Sequence, residues 1–173
     1  MGTPYRPKAD PVPATAPFLG GVVRERVILF LASAAYSGYI PLAPGTMGTL
    51  VGVLLYGGLS RLPLIGQILA FFLLFALGVW SAGQAEKILG KKDHPFIVID
   101  EVVGYQLAMF LLPSTWFFLA AAFLLFRFFD IWKPFAQVEA KAKGGWGVMA
   151  DDLIAAFYTN VILHLIYQFF WTG

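Results

Sequence analysis

Six apolar segments, at about 25–40, 48–60, 64–88, 96–112, 114–129 and 151–171, leave this chain one plausible solvent. With 59% hydrophobic and 17% aromatic residues against 13% charged, a water-soluble domain of 173 residues could not hide its apolar surface. The mean hydropathy of +0.74 says the same. The expected fold is therefore all-α, a polytopic membrane bundle of about six helices. A hydrocarbon core needs about 20 helical residues to cross it. The third and sixth segments meet that length, and the second, fourth and fifth need their flanks. The first, 24-RERVILFLASAAYSGYI-40, opens on Arg24, Glu25 and Arg26 and is expected to lie at the interface or to enter only part way.

Residues 1–22, rich in Pro, Ala and Thr, read as a flexible cytoplasmic tail, and 23–173 as one membrane-embedded domain. The absence of cysteine excludes disulfides, thiolate metal sites and a cysteine nucleophile. A net charge of +2 gives no reason to expect nucleic acid. Basic residues gather in the tail, around 87–92 and in 127–143. The positive-inside rule then places the loops near 45, 93 and 140 in the cytoplasm, provided the first segment does not span.

Seven of the ten acids follow residue 90, several of them inside or beside apolar segments. An acid in such a place marks a functional site by default. In 93-DHPFIVIDEVVG-104, Pro95 suits a first helical turn, which would set Asp93 and His94 just before the helix. Asp100 shares a face with Gly104, and the adjacent Asp100 and Glu101 suit a hard cation such as Mg²⁺. The competing reading is an interfacial helix start with one acid paired to a base.

In 127-RFFDIWKP-134, Arg127, Asp130 and Lys133 form one slanted ridge on a helix that Pro134 ends. Arg127 can fork onto two phosphate oxygens and Lys133 can add a point charge, with Asp130 a metal ligand or an orienting partner. Two snorkelling cations with Asp130 as counter-ion are the alternative. Gly144, Gly145 and Gly147 suggest a loop lying close to something. Asp151 and Asp152 beyond it would begin the last helix, either as capping acids or as a second carboxylate pair. In 41-PLAPGTMGTL-50, Gly45, Thr46 and Gly48 precede a helix whose first N–H groups could hold an anion. His164 reads as a hydrogen-bonded helix histidine.

Taken together, PLAPGTMGTL, DHPFIVIDEVVG, RFFDIWKPF and GGWGVMADD resemble the phosphatidylglycerophosphatase A family over about residues 30–170. The resemblance implies a multihelical enzyme of the bacterial inner membrane, Mg²⁺-dependent, with its active site facing the cytoplasm. Its substrate would be phosphatidylglycerophosphate, converted to phosphatidylglycerol by loss of the terminal phosphate. Carried over by position, it points to Asp93, His94, Asp100, Arg127, Asp130 and Lys133 as catalytic residues. Asp100, Glu101, Asp151 and Asp152 would hold metal, and Gly45, Thr46, Gly48, Arg127, Lys133, Gly144 and Gly145 would hold phosphate. A metal-activated water leads a carboxylate as nucleophile. The alternatives are another membrane phospholipid phosphotransferase, whose aspartate spacing does not occur here, and a small transporter using its intramembrane carboxylates.

Overall fold

A computed structural model describes residues 23–132 and 144–171, so the expected N-terminal tail, Lys133 and Pro134 lie outside the described residues. The elements are helices α1 (Val23–Ala32), α2 (Pro44–Leu59), α3 (Leu64–Leu89), α4 (Ile99–Ala108), α5 (Trp116–Trp132) and α6 (Gly145–Trp171), with a short 3₁₀ turn at Ser37–Tyr39. No strand occurs among the described residues.

Helix lengths sort the bundle. With 26 and 27 residues, α3 and α6 reach ~40 Å at 1.5 Å per residue. Both are long and apolar enough to cross a membrane. The 10 residues of α1 reach only ~15 Å, so the first segment cannot cross as a helix. The fourth segment is shorter than its apolar run suggests: α4 also stops after 10 residues, where Leu111 takes φ +60° and Pro113 follows. Pro95 stands outside α4, in a turn closed by a hydrogen bond from Ile97 N–H to the His94 carbonyl. Asp100 and Glu101 consequently occupy the first turn of α4.

Parallel packing of α4 against α2 is read from their contacts. Gly48 meets Val98, Gly52 meets Val102 and Tyr105, and the Tyr56 hydroxyl donates to the carbonyls of Met109 and Leu112. A Cβ at Gly48 would stand 2.8 Å from the Val98 carbonyl oxygen, so only glycine lets these backbones come so close. Gly145 performs the same service between α6 and the Val79 carbonyl of α3. Tyr105, Met109, Phe118, Phe126 and Leu163, all fully buried, fill the space between α4, α5 and α6.

Stopping α4 halfway through an apolar bundle orphans its last carbonyls. Neighbouring side chains take them up. Asn160 Nδ2 donates to the carbonyls of Ala108 (3.1 Å) and Phe110 (2.9 Å), and His164 Nε2 donates to Phe110 (3.1 Å). His164 is thus a hydrogen-bonded helix residue. On the exterior, Leu69, Phe72 and Leu73 of α3, Trp116, Leu124 and Phe128 of α5, and Leu165 and Phe169 of α6 are exposed. A surface this apolar is suited to lipid. Replacing Asn160 by Ala should lower stability by about 1–3 kcal/mol, the cost of stranding buried carbonyls. Unfolding in detergent measures it, and an unchanged midpoint would refute the capping role.

Candidate active site

The starts of α2, α4 and α6 and the end of α5 meet at one end of the bundle, around a cavity of about 280 Å³. Each element delivers its group by its own local logic. Pro44 occupies the first turn of α2, where its missing N–H costs nothing. The first helical bond runs from Met47 N–H to the Ala43 carbonyl, so the N–H groups of Gly45 and Thr46 precede it. Ala43, Pro44 and Gly45 line the cavity. Asp100 and Glu101 sit where the dipole of α4 favours negative charge. Asp151 and Asp152 lie two turns inside α6 rather than at its start, so neither is a capping acid.

Carboxylates dominate the lining. Asp93, Asp100, Glu101, Asp130, Asp151 and Asp152 face Arg127, the one lysine or arginine among the described residues there. Asp100, Glu101, Asp130, Asp151 and Asp152 are buried. Carboxylate oxygens of Asp100, Glu101 and Asp152 lie within 4.8 Å of one another. Asp100 Oδ1 and Glu101 Oε2 are buried and have no hydrogen-bond partner among the described residues. Crowding buried carboxylates is costly unless opposite charge offsets it, and a cation beside these oxygens would do so. Three convergent oxygen donors fit a hard divalent ion such as Mg²⁺.

Arg127 is tied to this cluster. Its Nη1 donates to Asp130 Oδ2, one turn along α5, and lies 3.6 Å from Glu101 Oε1. The guanidinium therefore bridges α5 to α4 and faces the cavity from beside the carboxylate triad. Gly45 leaves room for it: a Cβ there would stand 2.8 Å from Arg127 Nη1 and would also press on Glu101 Oε1.

His94 lines the same cavity from the turn before α4. Its Nδ1 accepts from Phe96 N–H at 3.2 Å. Burial, with Lys91 a second cause, pushes the imidazole below its ordinary pKa and so favours the neutral ring. Asp93 is exposed, holds φ +49°, and donates its N–H to Glu86 Oε1 at 2.9 Å.

Other expected positions fall elsewhere. Thr46 and Gly48 do not line the cavity, and Gly48 is spent on packing against Val98. Gly144 forms a turn with φ +60°, Gly145 packs on α3, and of these three glycines Gly147 is the one that reaches the cavity. The expected glycine loop is instead the first turn of α6. Pro95, Ile97 and Val148 complete the wall, and their side chains carry no chemical signal that a sequence could reveal.

Comparison with known proteins places these observations. The profile of the family described as phosphatidylglycerophosphatase A matches residues 30–167. The chain is 41% identical over 145 residues to a Haemophilus influenzae protein named phosphatidylglycerophosphatase A, covering 80% of this chain and 88% of that one. It is 35% identical over 139 residues to the Escherichia coli protein of the same name, covering 79% and 81%. A Bacteroides thetaiotaomicron protein, 37% identical over 136 residues (73% and 85%), is named for a proposed phosphatidylinositol-3-phosphatase activity. No solved structure matches.

Crowded carboxylates predict a measurable linkage. Mg²⁺ should raise the unfolding midpoint of the unmodified protein in detergent. Asp100→Asn should blunt that response while raising stability in chelator, because one buried charge is removed. An equal Mg²⁺ response in both proteins would show that the triad does not hold the ion.

Proposed function

This chain belongs to the phosphatidylglycerophosphatase A family, and we propose that it is a membrane phosphatase that hydrolyses the terminal phosphate monoester of phosphatidylglycerophosphate to phosphatidylglycerol. One observation carries the reading furthest: the Asp100, Glu101 and Asp152 oxygens, within 4.8 Å of one another, stand beside Arg127. They do so at one end of an apolar bundle, where a lipid headgroup can enter while its acyl chains stay in the bilayer.

Asp100, Glu101 and Asp152 would hold Mg²⁺, with Asp151 beside them on the cavity wall. When bound, Mg²⁺ would offset phosphate charge and make water a better nucleophile. The chain's own groups do the rest. Arg127 offers planar donors that suit two phosphate oxygens. Gly45 N–H, at the positive end of α2, adds a further donor. Asp130, bonded to Arg127 Nη1, orients the guanidinium, and a carboxylate so engaged is a poor nucleophile. Water is the attacking group in this reading, ahead of a carboxylate such as Asp93. Phosphoryl transfer of this kind depends chiefly on positioning and charge.

Lys87 in the last turn of α3, followed by Lys91 and Lys92, lies at the cavity end, whereas the turn between α2 and α3 carries only Arg61. By the positive-inside rule this favours a site facing the cytoplasm, and the two long apolar helices with the bacterial relatives support a multi-pass protein of the inner membrane. The relative named for phosphatidylinositol-3-phosphate shares the chemistry, a phosphate monoester on a lipid headgroup. The family profile and the two other relatives favour the glycerol headgroup.

Two experiments test the reading. Purified protein should release phosphate from phosphatidylglycerophosphate in mixed micelles with Mg²⁺, release little from phosphatidylinositol 3-phosphate, and stop when the ion is chelated. Activity surviving full chelation removes the metal, and a reversed preference removes the headgroup assignment. Asp130→Asn should retain measurable turnover, reduced about 10–100-fold by loss of a charge-assisted hydrogen bond. Complete loss, with Mg²⁺ stabilisation intact, would instead identify Asp130 as the nucleophile.

A further inference from the structure

His94 is held more firmly than a surface-turn histidine need be. Its ring lies 4.5 Å from that of Phe96, which stacks in turn on Tyr39 at 4.5 Å and 25°. Tyr39 belongs to the 3₁₀ turn, and that turn is reached through Ala34, Ala35 and Tyr36, three consecutive non-glycine residues with positive φ. Left-handed backbone is costly for such residues and persists only where the surroundings impose it. The turn is locked against the segment after His94. Val98 N–H donates to the Ala32 carbonyl, Tyr36 N–H donates to Ser33 Oγ, and Gly38 sits against the Phe96 backbone.

The hydrogen bond to this ring has a chemical consequence. Phe96 N–H can only donate, so Nδ1 of His94 must carry a lone pair, and in the neutral ring the proton then sits on Nε2. A neutral imidazole in that tautomer is a hydrogen-bond donor at Nε2, and its only basic nitrogen is already engaged. It stands on the wall of the cavity that holds Arg127 and the carboxylates.

We infer that His94 is a substrate-binding residue that donates a neutral Nε2–H hydrogen bond to a phosphate oxygen, and that Phe96 and Tyr39 are positioning residues that hold its ring and tautomer. This rests on the phosphatase reading and assigns His94 no proton transfer. A neutral donor also brings no further charge that the carboxylates could capture in place of the phosphate, as a lysine at this position would.

The test has a spectroscopic arm and a kinetic arm. The chain has two histidines, so ¹⁵N-imidazole spectra of the full protein in nanodiscs are simple, and His94→Gln assigns the remaining signals to His164. At pH 7.5 His94 should show the Nε2–H tautomer, and inorganic phosphate with Mg²⁺ should shift its Nε2–H resonance. An Nδ1–H tautomer, an imidazolium, or no response to phosphate overturns the proposal. None of these readouts requires turnover, so an inactive protein giving the expected spectra would count against the lipid-phosphatase reading alone.

In kinetics on phosphatidylglycerophosphate, His94→Ala should lose about 10–100-fold in kcat/KM, the range for a hydrogen bond to a charged group. His94→Gln, whose amide N–H can replace Nε2–H, should recover most of that loss. Phe96→Leu should lower kcat/KM in the unmodified protein but add nothing to His94→Ala, whereas a merely structural role would cost activity in both. A glutamine variant as impaired as the alanine one, together with loss of an acidic limb from the pH profile, would make His94 an acid or base and refute the assignment.

Discussion

Placing five buried carboxylates at one end of an apolar bundle is the constraint that the rest of the structure serves. Asp100, Glu101, Asp130, Asp151 and Asp152 would repel one another and resist desolvation if they stood in a uniform apolar medium. The fold answers with positive helix ends and with the Arg127 guanidinium spanning α4 and α5, and it gathers oxygens of Asp100, Glu101 and Asp152 within 4.8 Å of one another. Gly45 belongs to the same solution, since any side chain there would occupy the space taken by Glu101 and Arg127.

Meeting that constraint fixes the length of α4. The site needs a helix N-terminus set among α2, α5 and α6, and a 10-residue helix supplies one while leaving carbonyls exposed at its far end. Tyr56 and Asn160 repair that end, from the same two helices whose opposite ends bring Gly45 and Asp152 to the cavity. The two ends of α4 are therefore coupled. Residues far from the carboxylates hold the register in which α2 and α6 present theirs, and Gly48 and Gly52 allow the close α2–α4 approach on which that register depends.

Much of the site was legible in the sequence because acids are expensive in apolar segments. Asp100, Glu101, Asp130 and Asp152 stand out for that reason, and so does Arg127 at three residues from Asp130. What could not be read was which neighbour each polar residue meets. For Asp130 the spacing left a metal ligand and an orienting partner open, and the i, i+3 hydrogen bond within α5 shows that Arg127 is the group it meets. Glycines misled for a related reason. Gly48 and Gly145 resemble anion-loop residues in sequence, yet helix–helix packing consumes both, because glycine answers equally to a ligand's approach and to a backbone's. Helix boundaries misled too: α6 begins before Asp151 and α4 begins after Pro95, shifts that decide whether an acid caps a helix or faces a cavity.

By itself the sequence pointed to the all-helical class, to a first segment that does not span, and to the acids and the arginine that line the cavity. Hydropathy and the cost of buried charge are local properties that residue type and spacing express directly. Only the tertiary structure decided that Asp100, Glu101 and Asp152 converge, that Arg127 bridges Asp130 and Glu101, and that His94 Nδ1 accepts from Phe96 N–H on the wall of the same cavity. Those outcomes depend on how closely and in what register α2, α4, α5 and α6 pack, which is set by side-chain volumes acting between segments far apart in the chain.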